Sequence, residues 1–94
     1  MRRNIANQLD YMVARAQMET DIAREVLERA RHSEDYHKEK AAAKLVAFHE
    51  NEEKMIMLYA EAKAYYPDLA DVLERRRPHL KDLYEEAGLL WEAV

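Results

Sequence analysis

The sequence contains no cysteine, which excludes disulfide bonds and thiolate metal ligands. It also has a single glycine, Gly88, and two prolines, Pro67 and Pro78, among its 94 residues. Glycine and proline are the residues that most often interrupt regular structure. Their scarcity therefore indicates long helices joined by short connections.

Long apolar runs are equally scarce. The longest one covers residues 55–60, whereas a membrane-spanning helix needs about 20 apolar residues. The first residues, MRRNIANQLDY, include basic side chains but no apolar segment behind them, so they do not have the pattern of a secretory signal. We therefore expect a cytoplasmic protein with no membrane partner.

Neither sign of charge dominates the sequence. Lysine and arginine number 15, aspartate and glutamate number 19, and the net charge is -4 at pH 7. The basic cluster Arg75, Arg76 and Arg77 fans around a helix at about 100° per residue, so it does not form one basic face. This charge distribution gives no support to nucleic-acid binding.

Hydrophobic spacing predicts an all-α protein with three long helices, over residues 3–31, 34–65 and 67–93. Hydrophobic residues are 49% of the chain, which excludes a disordered class, and the length fits one helical domain over residues 1–94. Within each helix the apolar residues recur at alternating steps of three and four, the heptad pattern of coiled-coil packing. The predicted core stripe includes Val26 of the first helix and Leu45 and Phe48 of the second, with Ile22 at its edge.

Two short connections join the predicted helices. A tight turn at about His32 and Ser33 comes first, with Ser33 as the N-cap of the second helix. Pro67 then ends the second helix and begins the third. Such connections impose an up-down-up three-helix bundle, and Pro78 should kink or split the third helix.

Each predicted helix carries one charged residue inside its core stripe, namely Glu19, Glu52 and Arg76. Counting back from the turn at Pro67, Arg76 lies about 7 Å along the helix axis from Glu52. We therefore predict a structural ion pair between Glu52 and Arg76. Glu19 is predicted to be a buried polar residue. Its candidate partners are Lys44, His49 and Tyr84.

Two other interpretations of these charges remain. The first is that they lie at the edge of the stripe and extend to water. The second is a metal site, since helical bundles bind iron or manganese through inward-facing Glu and Glu-x-x-His ligands. The one Glu-x-x-His of this chain, Glu34 to His37, is far from Glu19. We therefore predict no metal and no cofactor, and a metal-binding, ferritin-like bundle using Glu19, Glu52 and histidines is the alternative function.

A second apolar stripe is predicted to face away from the core. Alanine alone is explained by its high helix propensity, but large apolar residues on an outer face are not. This stripe is the predicted partner-binding surface. Its residues are Tyr11, Met18, Ala43, Val46, Met57, Ala60 and Ala64.

These features together predict a non-enzymatic helical protein–protein interaction module. An adaptor, an inhibitor or an assembly component, for example of a phage or plasmid, would fit this description. The expected partner is another protein or a second copy of the chain, with a homodimer favoured.

Overall fold

A computed structural model describes the backbone of residues 5–93 and the side chains of residues 8–89. All the regular secondary structure of the described chain is α-helix, which confirms the all-α prediction. None of its helices is long and apolar enough to cross a membrane. The predicted start of the first helix at residue 3 lies outside the described residues. The helices are α1 (Ile5–His32), α2 (Tyr36–Tyr65), α3 (Pro67–Arg76) and α4 (Pro78–Ala93).

The prediction of three helices is corrected to four over residues 5–93, because Pro78 splits the third predicted helix. Arg77, with φ −137° and ψ 76°, is not helical, and its N–H donates to the Leu73 carbonyl to close α3. Pro78 then occupies the first position of α4, where a residue without an N–H costs no hydrogen bond. The chain therefore changes direction at Arg77.

The break at Pro67 is confirmed, since α2 ends at Tyr65 and α3 begins at Pro67. The turn between α1 and α2 differs from its prediction, because the N-cap of α2 is Asp35. The Asp35 carboxylate accepts from the Lys38 N–H at 3.1 Å, while the Ser33 hydroxyl donates to the last turn of α1. Between them Glu34 has φ 59°, a left-handed conformation that costs a residue with a side chain roughly 1 kcal/mol.

This tight turn makes α1 and α2 an antiparallel hairpin. Ion pairs cross one edge of the hairpin, from Arg24 to Glu50 at 3.2 Å and from Arg31 to Glu39 at 3.8 Å. Helices α3 and α4 pack on the hairpin, α3 against α2 and α4 against α1. We refer to the edge that carries these two ion pairs as the ionic edge.

The hydrophobic core lies in the half of the hairpin away from the α1–α2 turn, where α3 and α4 cover it. Near the turn, the buried residues of α1 and α2 are small ones, Thr20, Ala23, Ala30 and Ala42. These short side chains let the two helices approach closely, and they leave the larger apolar residues of this half outside. The buried core residues are Leu9, Met12, Ala16, Ile56, Tyr59, Ala62, Ala70, Leu80 and Ala87.

Candidate functional site

Four large apolar side chains near the α1–α2 turn are exposed to solvent. They are Ile22 and Val26 of α1 and Leu45 and Phe48 of α2, and between 40% and 58% of each residue is accessible. Residues at these positions are normally polar on the surface of a helical protein. We call these four residues the tip face.

The α1 half of the tip face continues the side of α1 that contacts α4. Residues seven apart lie on the same face of a helix, two turns from one another. Ile22 lies seven residues after Arg15, whose Nη1 is 3.5 Å from Glu86 Oε1 of α4. Val26 lies seven residues after Glu19, which shares a pocket with Glu86. Ile22 and Val26 therefore face the same way as the α4-binding residues of α1.

The α2 half repeats this relation. Leu45 lies seven residues before Glu52, which forms ion pairs at the start of α4, and Phe48 lies seven residues before Met55, which packs against the core. The tip face is therefore an extension of the surface on which α3 and α4 lie. Within the described part of the chain, α3 and α4 contact the other half of this surface.

A pocket of about 80 Å³ opens beside the tip face, between α1 and α4. Its rim carries Arg15, which lies 3.6 Å from Glu19 and 3.5 Å from Glu86. A volume of this size holds one aliphatic side chain, whereas sites for small-molecule ligands are usually several hundred Å³. The apolar lining residues are Met12, Ala16, Ile56, Leu83 and Ala87.

The predicted ion pair of Glu52 is corrected in its partner. The Glu52 carboxylate lies 3.7 Å from Arg77 Nη1 and 3.1 Å from His79 Nε2, whereas Arg76 is exposed at the end of α3. The heptad pattern predicts a third helix that continues past Arg76 without interruption. Because the helix breaks at Arg77, the side chains after Arg76 take new directions, and the two that follow the break face Glu52.

Glu19 is not buried, contrary to prediction. Its side chain is 47% exposed and lies 3.6 Å from Arg15 Nε and 4.0 Å from His49 Nδ1, so one of its three candidate partners is in place. The buried polar residue is its neighbour Thr20, which is 0% exposed. The Thr20 hydroxyl lies 3.0 Å from the Ala16 carbonyl oxygen and 3.3 Å from the His49 carbonyl oxygen and donates between them. A helix of 3.6 residues per turn drifts from a strict heptad, and here the drift moves the buried position by one residue.

Because Thr20 is buried and Glu19 is exposed, substitutions at these two positions should change the free energy of unfolding by different amounts. We expect Thr20→Val to lower the free energy of unfolding by about 1 kcal/mol, because it removes a buried hydroxyl that bridges α1 and α2. Glu19→Gln should change it by less than about 0.5 kcal/mol, since exposed ion pairs contribute little. Urea denaturation of both variants measures the difference. A larger loss for Glu19→Gln than for Thr20→Val would contradict the assignment.

The predicted partner-binding residues do not form one surface. Ala43 and Met57 lie seven residues on either side of Glu50, which places them at the ionic edge of the hairpin. Tyr11 lines the pocket beside α4, at the opposite edge, and Met18 lies seven residues after it. Met18, Ala43, Met57 and Ala64 are exposed, while Tyr11, Val46 and Ala60 are half-buried.

Carboxylate–imidazole pairs occur three times among the described residues, as Glu19 with His49, Glu28 with His32, and Glu52 with His79. Each pair offers one carboxylate and one imidazole, fewer ligands than a zinc or calcium site uses. The described residues contain no group of three or more His, Asp or Glu side chains that could hold a metal ion.

A polar cluster joins α2, α3 and α4 inside the core half. The fully buried Tyr59 donates its hydroxyl hydrogen to Glu74 Oε1 at 2.7 Å, and Lys63 Nζ lies 3.3 Å from the same oxygen. The Lys63 ammonium also lies 4.8 Å from the ring centroid of Tyr84. A tyrosine within a core stripe needs a hydrogen-bond partner. The apolar spacing of α2 indicates that Tyr59 is buried, but it does not identify Glu74 of α3 as the partner of its hydroxyl.

This cluster makes stability depend on pH at both ends of the range. Burial, followed by the hydrogen bond to Glu74, raises the pKa of Tyr59 above its ordinary value of about 10. The hydrogen bond from Tyr59 lowers the pKa of Glu74, Lys63 adds to the decrease, and burial opposes it.

We therefore expect the free energy of unfolding to fall as the pH rises above about 10, where the unfolded chain ionises Tyr59 and the folded chain does not. It should also fall in acid, below about pH 4.5, as Glu74 takes up a proton. Thermal unfolding across this pH range measures both limbs. In Tyr59→Phe the decrease on the alkaline side should be smaller than in the wild type, and an unchanged decrease would contradict the assignment.

Comparison of the chain with protein-family models, with curated proteins and with solved structures finds no match.

Proposed function

We propose that this chain is a non-enzymatic helical protein–protein interaction module that associates with itself. The observation that carries the proposal is the tip face, formed by Ile22, Val26, Leu45 and Phe48. These side chains are exposed on the same surface of the hairpin on which α3 and α4 pack farther from the α1–α2 turn.

The lengths of the helices explain why the tip face is uncovered. A helix of 30 residues such as α2 is about 45 Å long. The chain that follows it is divided into α3, of 10 residues and about 15 Å, and α4, of 16 residues and about 24 Å. Since the helix breaks at Arg77, α3 and α4 are two short helices, and they cover only part of the hairpin. The tip face is the part of this helix-packing surface that α3 and α4 leave uncovered.

One edge of the hairpin carries charged side chains and the other carries exposed apolar ones. Formation of the hairpin alone does not require this difference. The ionic edge carries the pairs Arg24–Glu50 and Arg31–Glu39, which suit contact with water. The opposite edge carries the tip face at the same levels of α1 and α2. Exposed apolar residues grouped on one side of a small protein favour an interaction site. The pocket of about 80 Å³ between α1 and α4 has room for one aliphatic side chain of a partner.

The test is the dependence of the oligomeric state on concentration. Sedimentation velocity from micromolar to near-millimolar protein should show a shift from a slower to a faster species. Because apolar contacts drive the proposed association, the shift should persist in high salt, where attraction between exposed charges is screened. A single monomeric species at all concentrations would contradict self-association, and a faster species that disappears in high salt would contradict an apolar interface.

A further inference from the structure

We infer that the tip face binds the tip face of a second copy of the chain, with the two hairpins antiparallel and their turns overlapping. The inference rests on the proposed function and deepens it by naming the surface and the orientation. In the resulting dimer, the turn halves of two hairpins form a four-helix bundle, and the α3–α4 halves lie at its two ends.

The position of α3 and α4 determines the orientation. They occupy the surface that contains the tip face, but at the levels of residues 8–16 of α1 and 52–63 of α2. Two copies stacked in parallel would bring their α3–α4 halves against each other before the tip faces met. In the antiparallel arrangement these halves point away from the shared centre. Of these two alignments, the antiparallel one brings two tip faces together without a clash.

The shape of the hairpin end suits a second hairpin end. The tip face lies on two antiparallel helices, and pairs of such helices form four-helix bundles by packing at about 20°. An overlap of roughly 16 residues per helix would be about 24 Å long and about 20 Å wide. This footprint of roughly 480 Å² is smaller than the roughly 800 Å² that each partner buries in a standard interface. We therefore expect a dimer that dissociates on dilution.

The charges beside the tip face favour a second copy over a strongly charged partner. Arg29 lies seven residues after Ile22 on the same side of α1, and Glu25 is paired with it at 2.9 Å. Lys44 precedes Leu45 on α2. A surface with both signs of charge complements itself.

The first experiment changes the tip face and a matched control. Phe48→Glu places a charge in the proposed interface, whereas Leu58→Glu places the same charge on α2 at another exposed apolar residue outside it. Leu58 is 42% exposed and lies ten residues from Phe48, which puts it in the half covered by α3 and α4. We expect Phe48→Glu to weaken dimerisation by at least about tenfold. Leu58→Glu should leave it unchanged.

A second variant protects the test against misfolding. Ile22→Lys alters the α1 side of the tip face and should weaken the dimer as Phe48→Glu does. Circular dichroism establishes that each variant keeps the helical content of the wild type. If both variants fold and still dimerise, the tip face is not the interface and the inference is wrong. Self-association, and with it the proposed function, would still hold in that case. A wild type that stays monomeric would overturn both.

Spin-label distances test the orientation, and the absence of cysteine makes single labels straightforward. A label at Ser33→Cys marks the turn, and a label at Asp68→Cys marks the far end of α2. In the antiparallel dimer we expect about 25 Å between the two Ser33→Cys labels and more than about 60 Å between the two Asp68→Cys labels. A shorter distance between the Asp68→Cys labels than between the Ser33→Cys labels would overturn the arrangement.

Discussion

Leu80→Ala should lower the free energy of unfolding by about 3 kcal/mol. Leu80 is 0% exposed and belongs to the core cluster that holds α4 against the hairpin. Truncating a buried leucine loses its burial and leaves a cavity, which together cost roughly 2–5 kcal/mol. The core cluster that contains Leu80 also includes alanines such as Ala70 and Ala87, whose short side chains cannot fill the space. The measurement is urea denaturation followed by circular dichroism.

Leu89→Ala is the matched control on the same helix. Leu89 is 68% exposed, so its truncation removes little buried surface and should change stability by less than about 0.5 kcal/mol. Equal effects of the two substitutions would mean that α4 does not pack through Leu80. Since α4 depends on such contacts, Leu80→Ala should also increase amide exchange in α4 before it does so in the α1–α2 hairpin.

The helical architecture was predictable because local signals determine it. The heptad spacing of apolar residues identifies helices, and Pro67 and Pro78 each mark a helix start. The spacing of apolar residues does not determine the direction of the chain after Pro78. A proline is compatible with a kink, which keeps one long third helix, or with a complete break, which lets α4 reverse direction. The choice depends on tertiary packing of α4 against α1 and not on the residues around Pro78.

The errors at single residues have two physical origins. Thr20 is buried in place of Glu19 because the buried side of α1 drifts relative to a strict heptad. Arg77 binds Glu52 in place of Arg76 because the helix breaks between them and the helical phase does not continue. Both errors are shifts of one residue, which corresponds to about 100° around a helix.

The tip face shows how the prediction of fold and the prediction of site are linked. The apolar spacing predicts a core position in a three-helix bundle for Val26, Leu45 and Phe48. The structure leaves them exposed because α3 and α4 are too short to reach them once the third helix is split. The stripe predicted as the partner surface instead divides between the two edges of the hairpin. Apolar residues that appear to belong to a core can therefore mark an interface when the covering element is short.

The second prediction concerns the contact between Tyr59 and Glu74, which fixes α3 on α2. Tyr59→Phe should lower the free energy of unfolding by about 2 kcal/mol, since it removes a hydrogen bond to a charged group and leaves the Glu74 carboxylate with Lys63 alone. Glu74→Gln should cost a similar amount, because an amide oxygen accepts the Tyr59 hydrogen bond less strongly and no longer attracts the Lys63 ammonium.

A double-mutant cycle separates this contact from the other effects of each substitution. If Tyr59 and Glu74 act together, the variant with both Tyr59→Phe and Glu74→Gln should lose less stability than the sum of the single variants, by at least about 1 kcal/mol. Lys63 distinguishes the hydrogen bond from the charge, since Lys63→Met keeps the Tyr59–Glu74 hydrogen bond and removes only the ion pair. We expect Lys63→Met to cost less than Tyr59→Phe because the Lys63 ammonium is partly exposed, whereas Tyr59 is enclosed. Strict additivity of Tyr59→Phe and Glu74→Gln would show that α3 is held on α2 by apolar packing around Ala62 and Ala70 and not by this hydrogen bond.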